Sequence, residues 1–223
     1  FFKKGLRFMQ LTYNNQTPLA GGCYEKKDSG VSRFGEQVIE EMNRLGMIVD
    51  LSHAGKQTCL DAINFSKKPV TISHANPNFF HQSIRNIDDE VLKLLAKNNG
   101  FIGLSLYPYH LKNYGDCKLE DFCEMINQLV NIMGEDNIGI GSDLCMNWPD
   151  SVVMWMRNGK WTKKIDYGES KNKNASWPKP LTWYSKPEDI SAFLKGMILN
   201  GISEKTAHKI AGSNWLNFMQ NHF

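Results

Sequence analysis

Short, uninterrupted apolar runs alternate along the chain with longer stretches in which apolar residues recur every three or four positions. The first pattern predicts strands buried on both faces, the second helices with one apolar face. Residues 6–13 (LRFMQLTY), 47–51 (MIVDL), 69–73 (PVTIS), 101–107 (FIGLSLY) and 138–141 (IGIG) read as five strands. Between the first two, residues 34–45 carry Phe34, Val38, Ile39, Met42 and Leu45 at helical spacing, with Ser32 as the expected N-cap and Gly46 just past the end. Residues 57–64, 88–97 and 119–133 read as the next three helices. The second of these opens with two acids and ends in Lys97, as the helix dipole favours. Two further helices are predicted over 187–200 and 203–220, the last entered through Ser203 and Glu204.

Strand followed by helix, with short connections, predicts an α/β fold around a parallel sheet. One stretch breaks the rhythm. Residues 146–184 hold Trp148, Trp155, Trp161, Trp177 and Trp183 and are too long for an ordinary connection. They read as an ordered excursion after the last strand, serving equally well as a structural cap or as a lid over substrate. Residues 1–223 are expected to form one domain around a single core.

Composition removes some function classes. The formal net charge is only +3 and no run of five like charges occurs, so nucleic-acid binding has no electrostatic support. The densest basic patch, Lys160, Lys163 and Lys164, reads as a solvated loop. Five cysteines (Cys23, Cys59, Cys117, Cys123 and Cys145) without a CxxC pair argue against a disulfide framework or a structural zinc knuckle. Free thiols are the expectation, and a Cys117–Cys123 bridge closing a loop is the alternative. No apolar run approaches the roughly 18 residues needed to span a bilayer. No secretory signal is visible, and because position 1 is Phe1 rather than an initiator methionine, the compartment stays open.

The chemistry lies at three strand ends that look alike. MIVDLSH, VTISH and IGIGSD each finish an apolar run with Ser followed by His53, His74 or Asp143. In a parallel barrel every strand opens its C-terminal end on the same face, so these side chains are expected to converge. Imidazoles are good zinc ligands, and an aspartate can hold a water or a second metal. One such histidine alone would read as an ordinary loop residue. Two on consecutive strands, with an aspartate on a later one, point to a metallohydrolase.

The blocks GMIVDLSHAG, KPVTISHANP, RNIDDEVL and IGIGSD resemble, in order, those of the membrane (renal) dipeptidase family. So do LTYNNQTPLAGG, GVSRFGEQVIEEMNRLG and the closing GISEKTAHKIAGSNWLNFM. The resemblance implies a (β/α)₈ TIM barrel of metal-dependent hydrolase type, with two zinc ions activating a water for attack on the peptide bond of a dipeptide. By position, it implies that His53 and His74 bind one zinc and that Arg85 grips the substrate carboxylate. Asp143 then lies beside the metals and the substrate amine, and handles a proton or orients that amine. Asn86 is expected to be a helix-entry residue. A homodimer is implied by analogy only.

The sequence departs from the family pattern twice. Where many members carry LTH, this chain has Tyr13, which either donates a hydrogen bond to an oxyanion as a substrate-binding group or simply packs at the barrel mouth. The family's His-x-Asp pair and bridging glutamate, which hold the other zinc, fall before the LTY block. The five strands are therefore expected to be strands 4–8 of the barrel, and the chain a piece of a larger protein or one completed by another chain. Glu25, Asp28 and Glu36 do not stand where the bridging carboxylate belongs. Two other functions remain in view: a catalytically inactive barrel fragment, and a related barrel hydrolase acting on another amide or on an ester.

Overall fold

A computed structural model describes residues 1–157 and 176–223, and backbone alone for 154–157. Lys160, Trp161, Lys163 and Lys164 lie outside the described residues, as does the side chain of Trp155. Five strands, β1 (Phe8–Gln10), β2 (Ile48–Asp50), β3 (Thr71–Ala75), β4 (Phe101–Leu104) and β5 (Ile138–Ile140), form one sheet in the order of the sequence. Every neighbouring pair is parallel. A parallel sheet whose strands add one after another on the same side is the wall of a (β/α)₈ barrel, and five consecutive strands of one are present here.

The helices follow the apolar periodicity. They are α1 (Arg33–Leu45), α2 (Lys56–Phe65), α3 (Asp89–Lys97), α4 (Leu119–Met133), α5 (Asp150–Arg157), α6 (Ile190–Leu199), α7 (Glu204–His208) and α8 (Asn214–His222). Ser32 caps α1 by accepting a hydrogen bond from the Gly35 amide, and Gly46 ends it at φ 76°, a left-handed conformation that glycine adopts without penalty. Ile39, Met42, Ile63, Leu92, Leu95, Phe122, Ile126 and Leu129 are buried from the helix side against Val49, Leu51, Ile72, Ile102, Leu104 and Ile138 of the strand segments. A smaller cluster joins Ile48, Phe101 and Phe218, with Phe8 and Trp215 packed on it. Here α8 covers the other face of the sheet. The approach is so close that a Cβ on Gly139 would lie 2.6 Å from the Trp215 ring.

Four elements differ from the sequence expectation. The first and fourth strands leave the ladder early, after Gln10 and Leu104, because their last residues turn into the rim loops. The excursion contains α5, and its return leg is core: Leu181, Trp183 and Tyr184 pack around Phe122 and Phe193. The final helix is broken by a π turn at Lys209–Ser213. That extra residue lets Lys209 reach Glu135 and Asp136 while Asn214 donates to the carbonyls of Glu135 and Ile138, both at 2.7 Å. All five cysteines are free, and only Cys145 is exposed.

Two measurements check this packing. At pH 8 a thiol reagent is expected to modify Cys145 rapidly and the other four only after unfolding. Burial drives the Cys117 and Cys123 thiols up to about 12, and a fast phase surviving in Cys145→Ser would contradict the fold. Lys209, Thr206 and Lys205 together hold the Glu135 carboxyl down at about 2. Its folded pKa is depressed, so its stabilisation is present above the unfolded value of roughly 4 and disappears as pH falls towards 2. Glu135→Gln should therefore lower Tm at pH 7, with the gap to the parent closing across that acid window.

Candidate functional site

β2 and β3 deliver the two histidines to the same rim. His53 follows β2 by three residues, and His74 sits within β3. Their Nε2 atoms stand 2.9 Å apart. The other nitrogen of each ring is engaged. His53 Nδ1 lies 2.6 Å from Asn14 Oδ1, an oxygen that can only accept, so Nδ1 carries the proton. His74 Nδ1 lies 2.8 Å from Ser73 Oγ, whose own proton goes to Asp50 Oδ2 at 2.6 Å. Ser52 Oγ accepts from the His74 amide and stands 3.1 Å from Ser73 Oγ, which completes the network. Both Nδ1 atoms are thus donors, and both Nε2 atoms present bare lone pairs to one another.

Two facing lone pairs without a proton between them could accept a cation. Each Zn–N bond is about 2.0–2.1 Å, so two imidazoles can share one zinc ion at the observed separation. Burial, then the Arg85 guanidinium, pushes His53 well below the ordinary imidazole range. Burial also lowers His74, with Asp143 opposing and Arg85 assisting. Neutral imidazole is the form that ligates metal. Among the described residues, no group of three or more His, Cys, Asp or Glu side chains is arranged to hold a metal ion. The two histidines meet at this rim without a third such side chain among the described residues.

The remaining predicted residues gather around it. Tyr13, half-exposed, stacks on His53 with ring centroids 4.0 Å apart and planes 25° off parallel. Burial and then Asp143 raise its phenol, so it keeps its proton. Asp143, three residues beyond β5, is raised by burial and lowered by His74 and Arg85. Arg85 is 4% exposed, and among the described residues its Nη2 has no hydrogen-bond partner and no carboxylate pairs with it. A buried guanidinium left in this state costs several kcal/mol unless an anion arrives. His53, His74, Arg85, Asp143 and Tyr13 are therefore brought together. Asn86 is not a helix entry: it accepts from the Asn76 amide and donates to the carbonyls of His81 and His110, tying two rim loops. The N-cap of α3 is Asp88.

Asn14, Asp50, Ser52 and Ser73 were not anticipated. Asp50 left a signal, being the one charged residue inside a wholly buried strand. Strain also marks the site. Asn14, His53 and Asp143 adopt φ of 63°, 68° and 53°, each costing on the order of 1–3 kcal/mol that surrounding contacts must offset.

Residues 1–151 match the family model described as membrane dipeptidase, peptidase family M19. The chain belongs to this family. It is 34% identical over 152 residues to an uncharacterized dipeptidase of Schizosaccharomyces pombe, a match covering 64% of this chain and 36% of that protein. The family chain spans about a third of the length of the curated relatives it matches. An amidohydrolase from Pseudomonas aeruginosa superposes on 98% of the chain, with 66% of its own length covered, at TM-score 0.89 and 32% identity. A metallo peptidase from Rhodobacter sphaeroides, solved with a phosphinate mimic of L-Ala-D-Ala, shares the fold at TM-score 0.77 and 20% identity, covering all of this chain and 57% of its own. The match to the family model runs through both histidine-bearing strand ends, Arg85 and Asp143, and ends at residue 151, inside the excursion.

The tautomers are directly observable. Histidine ¹⁵N spectra at pH 6.5 without added metal are expected to show His53 and His74 neutral and protonated at Nδ1. Because their folded pKa values are depressed, acid protonates the unfolded chain first, and stability falls as pH drops below about 6.5. Ser73→Ala should release the His74 tautomer and leave that of His53 in place.

Proposed function

We propose that the protein containing this chain is a zinc-dependent dipeptidase with a binuclear metal site, and that residues 1–223 act within it as one barrel domain. The observation that carries the reading is the pair of unprotonated Nε2 atoms 2.9 Å apart at the strand C-termini. His53 and His74 would hold one zinc. When bound, zinc supplies a Lewis acid that lowers the pKa of water and polarises a carbonyl. Asn14 keeps the His53 ring in its ligating tautomer, and Ser73, anchored by Asp50, does the same for His74.

The other residues select and orient substrate. Arg85 offers a planar fork to a terminal carboxylate, which supplies the anion its buried charge lacks. Asp143 pairs with the terminal ammonium or takes a proton from it. Tyr13, still protonated, donates a hydrogen bond to the carbonyl oxygen as charge builds there. An anion receptor and a cation receptor on one small rim fix both ends of a short substrate, which favours a dipeptide over a longer chain.

A second reading, a catalytically inactive barrel, is favoured by one observation: among the described residues no third His, Cys, Asp or Glu joins the histidine pair in a group that could hold a metal ion. A related hydrolase of another amide or an ester would share the metal chemistry without the two end receptors. The deciding measurement is metal analysis of the full-length protein with amino-acid release from a dipeptide panel. Two zinc ions per chain and turnover lost in His53→Asn and His74→Ala are expected; absence of zinc or of turnover removes the reading. Arg85→Met separates binding from folding. It should cut kcat/KM by roughly 10²–10³-fold, yet raise Tm, because an unpaired buried charge is replaced by a well-packed apolar side chain.

A further inference from the structure

A cleft of ≈90 Å³ opens beside Asp143, between the loop after β4, the loop after β5 and the return leg of the excursion. Leu106, Leu144, Met146, Trp177, Leu181 and Tyr184 supply most of its apolar wall. Among the described residues that line it, Asp143 is the only charged one. From this juxtaposition we infer that the cleft is the subsite for the side chain of the substrate's amino-terminal residue, and that it selects branched aliphatic side chains of valine or leucine size. The inference rests on the dipeptidase reading and adds the class of dipeptide.

Charge decides which end of the substrate enters. With a carboxylate as the one charge among its described lining residues, the cleft receives the ammonium end and repels the carboxylate end, which belongs with Arg85. Once the ammonium meets Asp143, the side chain one carbon away meets the apolar wall. Size decides the class. An apolar cavity of about 150 Å³ takes a benzene ring. A space of ≈90 Å³ takes an isobutyl group but is tight for an indole.

The wall is built before substrate arrives. Trp177 Nε1 donates to the Trp148 carbonyl at 2.7 Å, and the Trp177 amide donates to Asp150. Lys179 pairs with Asp116 at 2.5 Å, and Trp183 Nε1 donates to the Cys117 carbonyl at 2.8 Å. Leu181 and Tyr184 are anchored in the main core. Pro178 and Pro180 stiffen the strand of chain between these anchors. A preformed apolar wall loses little entropy on binding, so the selectivity it gives is not spent on ordering a loop.

The test uses the full-length zinc protein and dipeptides with one common C-terminal residue and Gly, Leu, Lys or Trp at the amino end. Leu is expected to exceed Gly in kcat/KM by at least about tenfold, with Trp and Lys below Leu. Trp177→Ala and Leu181→Ala should shrink the Leu-to-Gly ratio several-fold, whereas Asp143→Asn should depress both substrates and leave their ratio nearly intact. Binding of 3-methylbutylamine against methylamine, followed by tryptophan fluorescence with Trp177→Phe as the control, reads the cleft without turnover. Tighter binding of the branched amine that is lost in Leu181→Ala supports the subsite even if no dipeptide is cleaved, in which case only the dipeptidase reading falls. Dipeptide cleavage with a flat amino-end preference, or a Leu-to-Gly ratio that neither variant changes, overturns the subsite and leaves the dipeptidase reading standing.

Discussion

Two imidazole nitrogens without protons repel each other, and here the fold holds them 2.9 Å apart. That arrangement is uphill unless something positive lies between them, and much of the rim is arranged to sustain it. Parallel strands bring β2 and β3 to the same edge. Asp50, an expensive carboxylate to bury, is kept satisfied by the Ser73 hydroxyl and the amides of Ser52 and Ser73. Through Ser73 its influence reaches His74. Removing the strand direction, the serines or the asparagine would allow one ring to turn or a proton to move, and the facing pair of lone pairs would be lost.

Most of the fold could be read from the sequence, because helix and strand periods alternate cleanly and the caps are local. Ser32 and Gly46 act where the pattern puts them. The strand ends were less legible. Their apolar runs continue past the last ladder hydrogen bond, so residues such as Ser105 and Tyr13 look like strand while serving the rim. The break at Lys209–Ser213 was invisible, since it answers a tertiary demand from Glu135, Asp136 and the carbonyls near β5 rather than any local propensity.

The candidate site divides the same way. His53, His74 and Asp143 stood out because reactive residue types recur after apolar runs. Arg85 and Tyr13 came from resemblance alone, and their burial and stacking are tertiary facts. The supporting shell stayed hidden for a plain reason. Serine and asparagine are common at strand ends, and nothing local reveals which hydroxyl will meet which ring. Asp50 was the exception, because a carboxylate in a short apolar strand has to be explained by a partner across the sheet.

The left-handed backbone at His53 and Asp143 bears on how these positions can be interrogated or can evolve. Asparagine tolerates that conformation, whereas alanine and the β-branched residues do not. An alanine scan here would therefore measure chain geometry and lost chemistry in one number, and asparagine is the replacement that isolates the chemistry. The same restriction narrows the natural routes out of this constellation. Drift at either position is confined to a few short polar residues or glycine, so the rim can change its reactivity more readily than its shape.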